Sequence, residues 1–199
     1  ETGNVTPISI MDSVNNHGSI RFYIVDHVAE DLKAAGRACL KAFRVRSRFV
    51  HLEFFRLTED HPHLGSKGQI VGLEVNMRPS GGFTPDMINF ARETDVYKIW
   101  ADMVAYDSTQ KPVGTHHFCA FAGLRDGKDF ALTPDDIIEK YDDHLKMVER
   151  MPDALADAMG NQMYLATFDT EEELHTFFAD VTRQKEPDVS VTSEAAEMV

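Results

Sequence analysis

"VGLEVNMRPSGGFTP", residues 71–85, is the stretch on which the reading of this chain turns. Val71, Leu73 and Val75 alternate with Gly72, Glu74 and Asn76, the period of a strand with unlike faces. Glu74 and Asn76 therefore share a side, and Arg78 follows two residues later, before Gly81-Gly82 and "TP". An earlier run, "RFVHLEFFRL", alternates in the same way, with Val50, Leu52 and Phe54 against His51, Glu53 and Phe55. The polar loop "TEDHPHLGSKG" joins the two runs, and one short loop between two strands makes an antiparallel hairpin. If that loop closes symmetrically, Glu53 lies close to opposite Glu74.

Two carboxylates across a strand pair are destabilising unless positive charge sits between them. A divalent cation supplies it. Mg²⁺ takes oxygen ligands, usually one or two carboxylates with phosphates and water, and an asparagine oxygen adds a donor without adding charge. Arg78 has the planar fork that holds a phosphate or carboxylate through two bonds. Gly81 and Gly82 let backbone come close to a ligand. Taken alone, E-x-N-x-R also fits a half-exposed sheet face of ordinary polar residues.

"VHLEFF" followed by "VGLEVNMRPSGGFTP" resembles the C-terminal part of an ATP-grasp domain, as in carbamoyl phosphate synthetases and biotin carboxylase-like carboxylate ligases. The resemblance covers about residues 1–110. It implies that Glu53 and Glu74 are acidic Mg²⁺ ligands and Asn76 the neutral one. It implies that Arg78 stabilises the transferring phosphoryl group or acyl phosphate, and that Gly81 and Gly82 shape the loop beside it. The implied cofactors are ATP and Mg²⁺, with Mn²⁺ as a substitute. Phe55, on the side of Glu53, is the candidate for an adenine-facing residue, with a core role as the alternative.

That family clamps ATP between two subdomains, and its first supplies phosphate-binding lysines and a hinge strand for adenine. Residues 1–50 hold no such segment. "ETGNVTPISIMDSV" opens as a turn between strands and without Met, so the expectation is a distal half-site whose N-terminal half is missing or a separate chain. The expected function is the catalytic C-terminal portion of an ATP-dependent carboxylate ligase that forms an acyl phosphate, inactive without that half. The alternative is a non-catalytic nucleotide-binding or assembly subunit derived from the same domain. Expected partners are a nucleotide, a small carboxylate, the other half and a second copy in a homo-oligomer.

Composition narrows the classes. With 33 acidic and 20 basic residues the formal charge is −13, which opposes unaided binding to nucleic acid or an anionic membrane. No apolar run nears the roughly 18 residues of a membrane span. Cys39 and Cys119 have no zinc or disulfide spacing, which points to a reducing cytoplasm. The 199 residues make one domain, or one and a fragment, and 13 Phe suffice for a sizeable core.

The fold class expected is α+β, a mainly antiparallel sheet packed by helices, as the distal subdomain of an ATP-grasp fold. Residues 1–110 form the subdomain with the metal and phosphate site, 111–183 an α/β extension, and 184–199 a flexible acidic tail. Residues 28–43 form a helix with Val28, Leu32, Ala35, Cys39 and Phe43 on its apolar face, Cys39 in the core. Thr84 caps a helix with Pro85 at its first position. Asp95 caps another, whose buried stripe is Val96, Ile99, Trp100, Met103 and Val104. "HHFCAFAGLRDGKDFAL" reads as a hairpin around Asp126-Gly127. "TPDD" at 133–136 opens a capping-box helix to about Arg150, broken by Met151-Pro152. "QMYLATF" is a strand, and "DTEEELHTFFADV" a helix with Phe177 and Phe178 inward.

Other chemistry-bearing residues read as ordinary. "EDHPH" at 59–63 is a solvated loop, His116 and His117 are structural or surface, and Arg44, Arg46 and Arg48 form a solvated face. His51 shares the face of Glu53 and is open to either a site-lining or a plain strand role.

Overall fold

The computed structural model describes residues 4–5, 19–25, 28–108 and 115–185. Its elements in chain order are β1 (Asn4–Val5), β2 (Ile20–Ile24), α1 (Glu30–Ala42), β3 (His51–Arg56), β4 (Ile70–Asn76), α2 (Thr84–Arg92) and α3 (Val96–Tyr106). They continue with β5 (Phe118–Leu124), α4 (Pro134–Tyr141), β6 (Leu145–Arg150), α5 (Asp153–Met159), β7 (Gln162–Phe168) and α6 (Glu171–Thr182). Five strands form one sheet in the order β1-β2-β5-β7-β6, and β3 and β4 form a two-stranded sheet of their own. β1 pairs antiparallel with β2, β6 with β7, and β3 with β4. The class is α+β with antiparallel sheets packed by helices, consistent with part of an ATP-grasp fold.

The chain divides into two compact units. The first comprises Glu1–Pro7, Phe22–Ala120 and Thr167–Thr170, the second Ile8–Arg21, Phe121–Ala166 and Glu171–Val199.

In the first unit, α1 begins with Glu30 and Asp31 and ends with Lys41, charges that suit the helix dipole. It lies against the hairpin: Gly36 faces Leu52, and the Arg56 guanidinium bonds Asp31 through both nitrogens, at 2.7 and 2.9 Å. None of the α1 residues is fully buried. Cys39 is half-buried, and Phe43 is exposed rather than in the core. α2 places Thr84 itself in the first turn; Phe83 is the cap residue, without a side-chain bond, so Thr84 is a buried helical residue and not the cap. Asp95 caps α3 by accepting from the Lys98 amide. Val96 is buried, but Trp100 is 43% and Val104 71% exposed, so the expected buried stripe is open along most of its length. Phe49 stacks on the Trp100 ring at 5.8 Å.

In the second unit, Ile137, Tyr164, Leu174, Phe177 and Val181 are fully buried or nearly so, with Phe178 beside them. Thr133 and Asp136 form the expected capping box, but α4 ends at Tyr141. Residues 145–150 are the strand β6 and not a helical continuation, because Val148 and Glu149 pair with Tyr164 and Met163 of β7. Sheet pairing there overrides good helix formers such as Leu145, Lys146 and Met147. The Asp126-Gly127 turn is present, but no hairpin arm follows it. Phe130 instead bridges Gln184, and the Ala131 amide reaches the Arg183 carbonyl. Gly123 packs against the end of α5, where a Cβ would meet the Met159 carbonyl oxygen at 2.0 Å. Most of the tail, from 186, lies outside the described residues.

Candidate functional site

The hairpin sets the polar face. Register pairs His51 with Asn76, Leu52 with Val75 and Glu53 with Glu74, then shifts by one residue after Glu53, so that Phe54 meets Gly72 and Phe55 meets Val71. Cross-strand partners share a face. Leu52 and Arg56 are on the side that meets α1. His51, Glu53, Phe55, Glu74 and Asn76 are consequently together on the other side, with the bulge beside the acidic pair.

His51 Nε2 lies 3.2 Å from Glu53 Oε1, and both side chains are partly covered. His51 Nδ1 and Asn76 Nδ2 are buried without a hydrogen-bond partner. Buried orphan nitrogens on two directly paired residues are unusual, since such groups nearly always find partners. A half-turn of the Asn76 amide would present Oδ1 there instead. Two carboxylates and an amide oxygen are the donor types that a hard divalent cation takes. Among the described residues no three His, Cys, Asp or Glu side chains gather closely enough to hold a metal ion, so His51, Glu53 and Glu74 do not form a metal cluster as they stand.

The remaining sequence-predicted residues are more dispersed. Arg78 is exposed, donates from Nη1 to the Pro79 carbonyl at 2.9 Å, and makes no ion pair with either glutamate. Gly81 has no atom within 4 Å of where a Cβ would sit, and Gly82 has φ 58°, the left-handed region that favours glycine. Phe55 is 51% exposed, not a core residue. Leu73 and Val75 are also exposed.

Sequence reasoning missed a second polar cluster in the same unit. His117 Nδ1 lies 2.8 Å from Asp169 Oδ1, and its Nε2 lies 3.1 Å from Thr115 Oγ1. Glu93 accepts from the Thr115 amide, and those bonds hold its carboxyl below the usual range. Fifty-two residues separate His117 from Asp169. Only an alternating pattern around His116-His117 was visible, and it carried no hint of that partner. The Asp31–Arg56 pair was equally hidden; the arginine holds the Asp31 carboxyl below its ordinary value.

No helix among the described residues is long and apolar enough to cross a membrane. No protein-family model and no curated protein matches the sequence. Among solved structures the chain is similar to L-amino acid ligase from Bacillus licheniformis, at 12% identity and a TM-score of 0.55. The match covers 81% of this chain and 43% of that ligase, so the chain spans less than half of its length. At this identity the likeness is one of fold, an ATP-grasp-like fold.

Proposed function

We propose that this chain carries the metal- and phosphate-facing part of an ATP-grasp carboxylate ligase. The observation that carries the proposal is the direct pairing of Glu53 with Glu74, with Asn76 two residues on along the same face. The fold likeness to a ligase supports it.

Glu53, Glu74 and Asn76 would hold Mg²⁺ or Mn²⁺, which when bound neutralises the phosphates of ATP. Arg78 would bind the transferring phosphoryl group by its planar fork, its bond to the Pro79 carbonyl being weak enough to exchange. Gly81 and Gly82 leave room for backbone beside that group, and Phe55 offers an exposed aromatic face to the adenine. In the reaction, a carboxylate oxygen takes the γ-phosphoryl group while ADP leaves, and a nucleophile then displaces phosphate from the acyl carbon. The phosphate-binding lysines of such a site would come from outside these 199 residues, on a partner half.

Mn²⁺ binding followed by electron paramagnetic resonance, with ADP present, tests this reading. Glu74→Gln and Glu53→Gln should each weaken Mn²⁺ binding by at least about tenfold, ~1.4 kcal/mol, while Glu59→Gln leaves it unchanged. Equal affinity in all four proteins would refute the metal site. Metal binding that survives with no carboxylate-dependent ADP release, even alongside a lysine-bearing half, would favour the non-catalytic subunit.

A further inference from the structure

The second unit contains a cavity of about 270 Å³ with a feature that its own residues leave unexplained. Tyr164 of β7 lines it, is fully buried, and has a hydroxyl with no hydrogen-bond partner. An unsatisfied buried hydroxyl is destabilising, and replacing the tyrosine by phenylalanine would remove that cost. Burial, with the charge of Asp135 added and that of Arg150 opposing, pushes the Tyr164 phenol up to about 12. At neutral pH the group is a hydrogen-bond donor in need of an acceptor.

The charges around the cavity complement an anion. Four cations line it, Arg125, Lys128, Arg150 and Lys185, against two carboxylates, Asp126 and Asp129, within a chain of net charge −13. Arg150 is occupied, bonding Asp126 at 2.8 and 2.6 Å, and Arg125 donates to the carbonyls of Ala156 and Asp157. Among the described residues Lys128 and Lys185 make no ion pair, although Lys185 is near enough to Asp136 to help lower its pKa. Asp136 itself is held by Thr133. The rest of the lining includes Leu132 and Ile137, which no anion alone would use. The volume is just below the roughly 300–1,000 Å³ of sites for drug-sized ligands, so the ligand is small.

We propose that this cavity binds a small organic carboxylate with an apolar body, its oxygens taken by the Tyr164 hydroxyl and by Lys128 or Lys185. None of the lining residues belongs to the β3–β4 hairpin, and the proposal stands whether or not the hairpin binds metal.

Calorimetric titration of the full chain with phenylacetate, and separately with inorganic phosphate, tests it. Phenylacetate should bind with a Kd of about 1 mM and phosphate far more weakly. Tyr164→Phe should weaken phenylacetate about tenfold while its unliganded Tm stays at or above that of the wild type, since an unsatisfied hydroxyl has gone. The double variant Lys128→Gln, Lys185→Gln should weaken phenylacetate as well. Three results would overturn the proposal: no binding by the folded protein up to about 10 mM, unchanged affinity in Tyr164→Phe, or phosphate binding as tightly as phenylacetate.

Discussion

Glu53 and Glu74 are direct cross-strand partners, and the register of the hairpin slips by one residue immediately after Glu53. Like charges in that position repel, so the pair stores instability that a cation would relieve. Glu74→Gln is therefore expected to stabilise the metal-free protein by about 0.5 kcal/mol. Urea denaturation without and with Mn²⁺ separates the effects: the variant gains in the first condition and loses its metal-dependent gain in the second. Destabilisation in both would mean that Glu74 serves the hairpin rather than a ligand.

The Asp31–Arg56 pair fastens α1 to β3. Asp31 has a folded pKa below its unfolded value, so its contribution is present above the unfolded value and fades as pH falls through the folded one. Asp31→Asn should be less stable than wild type above about pH 5, with the difference vanishing on acidification. Denaturation curves at three pH values check this, and because both groups are at the surface, added salt should shrink the difference too.

Tyr141 donates to Asp180 at 2.6 Å, with Lys140 bonded to the same carboxylate, joining α4 to α6. Tyr141→Phe should cost about 1 kcal/mol near neutral pH. Burial, aided by Asp180, raises the Tyr141 phenol above its ordinary value, so the folded state holds that proton after the unfolded chain has lost it. Stability of the wild type should thus fall as pH rises above about 10, and fall less in Tyr141→Phe. Thermal melts across that range decide it; parallel slopes in the two proteins would contradict the assignment.

Glycine positions divide by what surrounds them. Gly123→Ala pushes a methyl group to 2.0 Å from the Met159 carbonyl oxygen, an overlap with backbone that should cost about 2–3 kcal/mol. Gly82→Ala meets left-handed strain at φ 58° and should cost about 1 kcal/mol. Gly81→Ala meets nothing within 4 Å and should leave Tm nearly unchanged. Melting of the three variants in one buffer gives the ranking.

The sequence by itself determined the hairpin, the shared face of Glu53, Glu74 and Asn76 and most helix starts, because each depends on neighbours within a few residues; it did not show the bulge after Glu53, which turns Val71 to the glutamates' face and Gly72 away from it. Alternation of period two fixes which side Glu53 and Glu74 take, and Thr133 with Asp136 satisfies the first amides of α4 whatever else is present. Tertiary structure decided what depends on distant partners. Leu145–Arg150 has side chains that a helix would accept, and only pairing with β7 makes it a strand. The stripe of α3 is amphipathic in sequence, but whether Trp100 and Val104 are buried depends on what covers them. The meeting of His117 with Asp169, and of Tyr164 with Lys128 and Lys185 around one cavity, needs chain closure over tens of residues. A local pattern encodes which face a residue occupies; it holds no information about which remote side chain arrives opposite.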